Sequence, residues 1–87
     1  MGTVAIFPLG KMTSTKSDSL ETLGARVRDA RKRQGLDQVT AAGLCGVSPR
    51  WLGELERGKE NQRIGLVLQV LGRLGLEVWV GPRGTDE

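Results

Sequence analysis

The chain has no histidine, no tyrosine and a single cysteine. Without His it lacks the side chain whose charge changes near neutral pH, and with it the commonest general acid–base and metal ligand. Cys45 has no second thiol with which to close an internal disulfide, a redox pair or a metal site. Although 13 glycines are present, none falls into a phosphate-cradling loop motif. These absences leave no provision for catalysis, and no metal or cofactor is expected. A run of about 18 apolar residues that could span a bilayer is missing as well. The setting this predicts is soluble, reducing and cytoplasmic, with no membrane partner.

What the chain does have is 87 residues, the length of one domain, and a modest basic excess of 13 Lys+Arg over 10 Asp+Glu. The placement of charge is more telling than its sum. RVRDARKR, from Arg26 to Arg33, carries five basic residues and one acidic, a local footprint for phosphates, although most of these residues read as a solvated charged face. A chain this short hides a smaller share of its surface than a larger one. Further burial against a partner is therefore expected.

Residues 1–18 mix a short apolar run, Val4 to Phe7, with an aperiodic Ser/Thr/Lys stretch. They are expected to form a flexible N-terminal arm, because termini fray; the alternative is that Val4 to Phe7 adds a strand to a sheet edge. Met12 is a candidate alternative start. Residues 19–80 form the domain proper, and 81–87 a short polar tail.

From Ser19, a candidate N-cap, Leu20, Leu23, Val27 and Ala30 recur at helical spacing, and Gln34-Gly35 closes a helix over about 20–33. Arg31 falls at the edge of that apolar stripe, where a lone charge is costly. It requires a carboxylate, and Glu56, inward-facing beside Leu52 and Leu55, is the candidate. A second helix starts at Asp37 as cap and turns Ala41, Ala42 and Cys45 inward, with Cys45 as ordinary core. Gly46 supplies the left-handed conformation that ends it, and Val47 plugs the corner. Ser48 then caps a third helix with Pro49 at its first position, where the missing N–H costs nothing.

Two short helices joined by so tight a turn are the parts of a helix-turn-helix, whose second helix enters the DNA major groove. On that helix Leu52, Leu55 and Glu56 face inward, while Arg50, Gly53, Glu54 and Arg57 share the sector that would meet a ligand. Glu54 could accept from a cytosine amino group but reads better as a solvated charge. Trp51 sits at the flank as packing, and Gly58 stops the helix before a polar connection, Lys59 to Arg63. The last helix is apolar over more than half its circumference, through Ile64, Leu66, Val67, Leu68, Val70, Leu71 and Leu74. Leu66 and Val70 are the expected surplus for a dimer interface. Gly75 ends it, and Leu76-Glu77-Val78-Trp79-Val80 alternates as a strand that needs a mate. The mate is either the same strand of a second subunit or the Val4 to Phe7 run.

LGARVRDARKRQGLDQ, AAGLCGVSPRWLGELERGK and VLQVLGRLGLEV, which fall between Leu23 and Val80, resemble the lambda-repressor-like (XRE, Cro/C1-type) helix-turn-helix domains. The GLDQ lead-in, the LERGK exit and the LGLEVWV strand are most similar to HipB-type antitoxins. The resemblance implies an all-α fold of four to five helices with a C-terminal strand, Leu76 to Val80, that pairs across a dimer. It implies a homodimeric repressor of palindromic double-stranded operator DNA that controls its own operon and binds a HipA-like Ser/Thr kinase toxin. By the same resemblance Gln38 contacts a phosphate, Arg31 and Glu56 brace the first helix against the third, and bases are read from Ser48, Pro49, Arg50, Gly53 and Glu54. Pro49 and Gly53 depart from the family's usual polar side chains there. Lys59, Asn61, Arg57 and Arg63 are expected along the DNA backbone, and Leu66, Val70, Leu76, Val78, Trp79 and Val80 at the dimer interface. The alternatives are a regulator of this family with no toxin, and a protein-interaction module that has lost DNA binding.

Overall fold

The computed structural model describes residues 2–8, 15–16 and 19–82, with side chains over 19–80. In chain order these form β1 (Gly2–Pro8), β2 (Thr15–Lys16), α1 (Leu20–Arg33), α2 (Gln38–Cys45), α3 (Pro49–Glu56), α4 (Ile64–Arg73) and β3 (Leu76–Pro82). The fold is mostly helical, with four helices among the described residues.

Each of the first three helices begins at the residue whose side chain can satisfy its free amides. Ser19 Oγ accepts from the Thr22 amide, Asp37 Oδ1 from Thr40 and Ser48 Oγ from Trp51. Hydrogen bonding also holds the Asp37 carboxyl below the usual aspartate range, the Thr40 amide being the largest cause. Gly46, at φ 75°, lets the chain turn left-handed at the end of α2, and the Val47 amide then reaches back to the Ala42 carbonyl at 3.0 Å. That bond makes the corner between α2 and α3.

The core is a single cluster in which α1 gives Val27 and Ala30, α2 gives Ala41, Ala42 and Cys45, and α3 gives Leu52 and Leu55. Val67, Val70, Leu71 and Leu74 close it from α4 and its end, and Leu76 from the start of β3. Trp51 and Val47 pack against its edge, as their positions predicted. Gly24 is the closest crossing, because a Cβ there would stand 2.3 Å from the Leu55 carbonyl oxygen. Only a residue without a side chain lets α1 approach the end of α3 that closely.

Three sequence expectations need correction. Of the two mates expected for the last strand, the one present is the Val4 to Phe7 run rather than a second subunit: β1 pairs antiparallel with β3 within the chain, from Gly2 opposite Pro82 to Pro8 opposite Leu76, in a sheet of order β2-β1-β3. The expected all-α fold with a strand completed across a dimer is therefore an α-rich fold with its own small sheet. An unsatisfied ladder is costly, and β1 supplies it locally. The 1–18 arm, expected to be flexible, contributes β1 and β2, and the strand runs through Gly81 and Pro82 rather than stopping at Val80. Met12 and residues 83–87 lie outside the described residues.

The third correction concerns α4. Val70 is fully buried and Leu76 nearly so, which makes both of them monomer core, and Leu66 is half-buried. Helical wheels place a residue by angle, but the sheet and α2 cover part of the circumference that the wheel leaves open. The surface residues are instead Ile64, 69% exposed, and Leu68, 49% exposed, one turn apart, with Val78, Trp79 and Val80 exposed on β3. No described helix is long and apolar enough to cross a membrane.

Candidate nucleic-acid interface

The interface is built around a buried ion pair. Arg31 donates through Nε to Glu56 Oε2 at 2.6 Å and through Nη2 to Oε1 at 3.0 Å, a bidentate fork whose two side chains are 8% and 4% exposed. Its remaining nitrogen, Nη1, donates to the Leu36 carbonyl at 2.8 Å. The guanidinium thus ties α1 to α3 and to the turn before α2. The pair expected between Arg31 and Glu56 is present, and the hydrogen bond from Glu56 raises the Arg31 pKa further above its already high value.

Glu56 has a second task that spacing does not reveal. Its Oε1 also accepts from Gln38 Nε2 at 3.1 Å, which fixes the amide of the first residue of α2 beside α3. An amide nitrogen carries two hydrogens. One is spent on Glu56 and the other remains for a ligand at the helix start.

Gly53 does not belong to the ligand-facing sector. It is buried, and a Cβ there would touch the ends of Gln38 and Arg57 at 3.4 Å each. The long side chains fold over the space that its missing side chain leaves, which hides it from any DNA. Nor is Glu54 a solvated charge. Its Oε2 lies 3.3 Å from both Arg50 Nε and Lys59 Nζ, and the side chain is only 17% exposed. These contacts, led by the hydrogen bond from Lys59, hold its carboxyl below the usual glutamate range.

The other expected residues are on the surface together. Ser48, Pro49 and Arg50 are exposed at the start of α3, although the Ser48 hydroxyl is occupied as the cap of that helix. Arg57, Lys59, Asn61 and Arg63 are exposed along the α3–α4 connection, where Asn61 takes a left-handed φ of 66°. Gln38 and this loop lie toward the end of α3, where Gln38 bonds Glu56 and Lys59 reaches back to Glu54, while Arg50 stands at its start. Glu60 is exposed in the same loop and Glu54 lies beside Arg50 and Lys59, but with Arg50, Arg57, Lys59 and Arg63 the rim is net cationic and attracts phosphates.

Two further side chains on α4 support the unit and were not anticipated. Gln69 Nε2 donates to the Cys45 carbonyl at 2.6 Å and Arg73 Nη1 to the Leu44 carbonyl at 2.9 Å. They satisfy the unpaired carbonyls at the end of α2, and the Arg73 charge is favourable beside that helix C-terminus. Their spacing of four residues, on an otherwise apolar helix, is the signal by which they could have been found. Burial pushes the Cys45 thiol up, consistent with an inert core residue.

Two helices joined by a three-residue corner, the second exposed at its start and flanked by cations, define a helix-turn-helix domain. The helix-turn-helix domain family profile matches residues 22–78. An uncharacterized HTH-type transcriptional regulator of Sinorhizobium fredii, y4mF, is 43% identical over 70 residues, which cover 80% of this chain and 87% of that protein. The immunity repressor protein of Bacillus phage phi105 is 33% identical over 57 residues, 66% of this chain and 40% of the repressor. Among solved structures, the restriction-modification controller protein C.AhdI of Aeromonas hydrophila superposes with a TM-score of 0.58 at 34% identity, covering 63% of this chain and 80% of that one. The clp gene regulator ClgR of C. glutamicum does so with a TM-score of 0.59 at 38% identity, covering 64% and 72%. The chain belongs to the helix-turn-helix family of transcriptional regulators.

Proposed function

We propose that this chain is a homodimeric, sequence-specific DNA-binding repressor that acts at its own promoter. The observation that carries the reading is the exposed start of α3 with Arg50 upon it, followed toward the end of the helix by Gln38 and the exposed Arg57, Lys59, Asn61 and Arg63. Arg50 offers the fork that pairs with guanine O6 and N7, and the flanking groups track the phosphates of the adjacent backbone. The second subunit docks on Ile64 and Leu68 of α4 and on the exposed face of β3, an apolar surface that a lone chain leaves in water. A two-fold interface there holds two recognition helices about 34 Å apart, the repeat of the major groove on one side of a duplex.

The test is binding to the DNA upstream of the chain's own reading frame, measured against a random duplex over a range of salt. If a dimer neutralises about six phosphates, log K falls against log salt with a slope near −5, at about 0.9 per phosphate. Arg50→Ala relaxes discrimination at one base pair per half-site, at a cost of about 1–3 kcal/mol. A flat salt response refutes DNA binding and favours the protein-interaction module instead. The finer role, an antitoxin that holds a HipA-like Ser/Thr kinase, rests on the likeness of LGLEVWV to HipB-type strands and on the apolar face of β3. Its test is co-purification with a kinase encoded beside it, with and without the promoter DNA.

A further inference from the structure

Two exposed cations of the α3 region, Arg50 and Lys59, converge on one carboxylate oxygen. Glu54 Oε2 takes Arg50 Nε and Lys59 Nζ, each at 3.3 Å, while the Lys59 amide bonds the Glu54 carbonyl at 3.0 Å. Exposure is unequal across this cluster, with 88% for the Arg50 side chain against 17% for Glu54. The carboxylate is seated against the protein and the guanidinium projects from it. Because Glu54 engages Arg50 through Nε, both terminal nitrogens of the guanidinium stay available as a fork.

We propose that Glu54 is a specificity-determining positioning residue, which fixes Arg50 for end-on recognition of a base edge and keeps Arg50 and Lys59 from binding phosphates indiscriminately. This rests on the DNA-binding reading above and deepens it. Two cations with one carboxylate carry a net single charge, so the cluster releases fewer counterions than two free cations would. A free Arg also loses rotamer freedom when it settles on a base, a cost that a side chain held beforehand has largely met. Both effects lower affinity for random DNA relative to the operator. The carboxylate stays ionised well into acid, since Lys59 and Arg50 depress its pKa.

Glu54→Gln keeps the size of the side chain and removes its charge. Expected are tighter binding to a random duplex, a salt slope steeper by up to about 1.8 per dimer, at 0.9 for each freed cation, and a fall of about tenfold in the ratio of promoter to random affinity, within the worth of one bidentate base contact. In an Arg50→Ala background the same replacement should lower that ratio by much less, leaving only the share that a freed Lys59 carries, whereas a purely structural role for Glu54 would lower it equally in both backgrounds. Circular dichroism of each variant at the binding temperature verifies that α3 is folded. Equal loss of affinity for both duplexes, or an unchanged ratio with an unchanged slope, overturns the proposal while DNA binding stands. Absence of salt-dependent binding by the unaltered chain overturns both.

Discussion

Replacing Gly24 by alanine should destabilise the domain, although alanine is the better helix former by about 1 kcal/mol. The new Cβ would stand 2.3 Å from the Leu55 carbonyl oxygen and 2.6 Å from that of Glu56. Carbon–oxygen contacts relax near about 3.3 Å, so α1 and the end of α3 must separate by about 1 Å. Backbone atoms cannot rotate away as a side-chain tip would. The separation also pulls on the Arg31–Glu56 fork and on Val27 against Leu52 and Leu55, which share that seam. Overpacking costs about 1–3 kcal/mol; at the upper end, less the helix-propensity gain, the net loss is about 2 kcal/mol. At about 4–8 °C per kcal/mol for a domain of this size, Tm falls by about 8–16 °C. Gly53→Ala is the control, since its Cβ meets only the flexible ends of Gln38 and Arg57 at 3.4 Å, ordinary contact distance. There the propensity gain survives, and Tm rises by about 4–8 °C. The assay is thermal unfolding by circular dichroism at one fixed protein concentration, because dimerisation would make Tm concentration-dependent. A Gly24→Ala protein as stable as the parent would refute the close crossing of α1 and α3.

Glu56→Ala leaves the Arg31 charge buried without its partner, so a loss of about 3–5 kcal/mol is expected, whereas the double replacement Arg31→Met, Glu56→Leu should recover most of it; denaturant unfolding measures both, and equal losses would contradict the burial argument. Lowering the pH should weaken α2 specifically: the folded pKa of Asp37 is depressed by its cap bonds, so its contribution is present above the ordinary aspartate pKa and disappears as the pH falls through the lower folded value. Asp37→Asn, which keeps a capping oxygen and cannot ionise, should flatten that part of the acid limb, and an unchanged limb would remove the cap as its cause. Ile64→Ser with Leu68→Ser should shift sedimentation from dimer to monomer at micromolar concentration while Val70, in the core, stays buried; a variant that remains dimeric would exclude this face of α4.

Local chemistry was legible in the chain because it acts over a few residues. Ser19, Asp37 and Ser48 cap the helices they were expected to cap, Gly46 makes the corner, and Arg31 finds Glu56 because a buried charge admits few partners. Those features depend on hydrogen-bond reach and helical angle, which sequence spacing encodes. Apart from Arg31 and Glu56, which the buried charge's need for a partner joins across 25 residues, contacts between distant elements were not decided by spacing. Which of its two candidate mates β3 takes, and that Val70 and Leu76 are core while Ile64 and Leu68 remain in water, follow from which surfaces the sheet and α2 cover. The burial of Gly53 beneath Gln38 and Arg57, and the convergence of Arg50 and Lys59 on Glu54, likewise depend on where long side chains lie once the helices have packed. Periodicity assigns a direction from a helix axis, but burial is decided by whatever the rest of the chain sets in that direction, and that is a property of the tertiary structure alone.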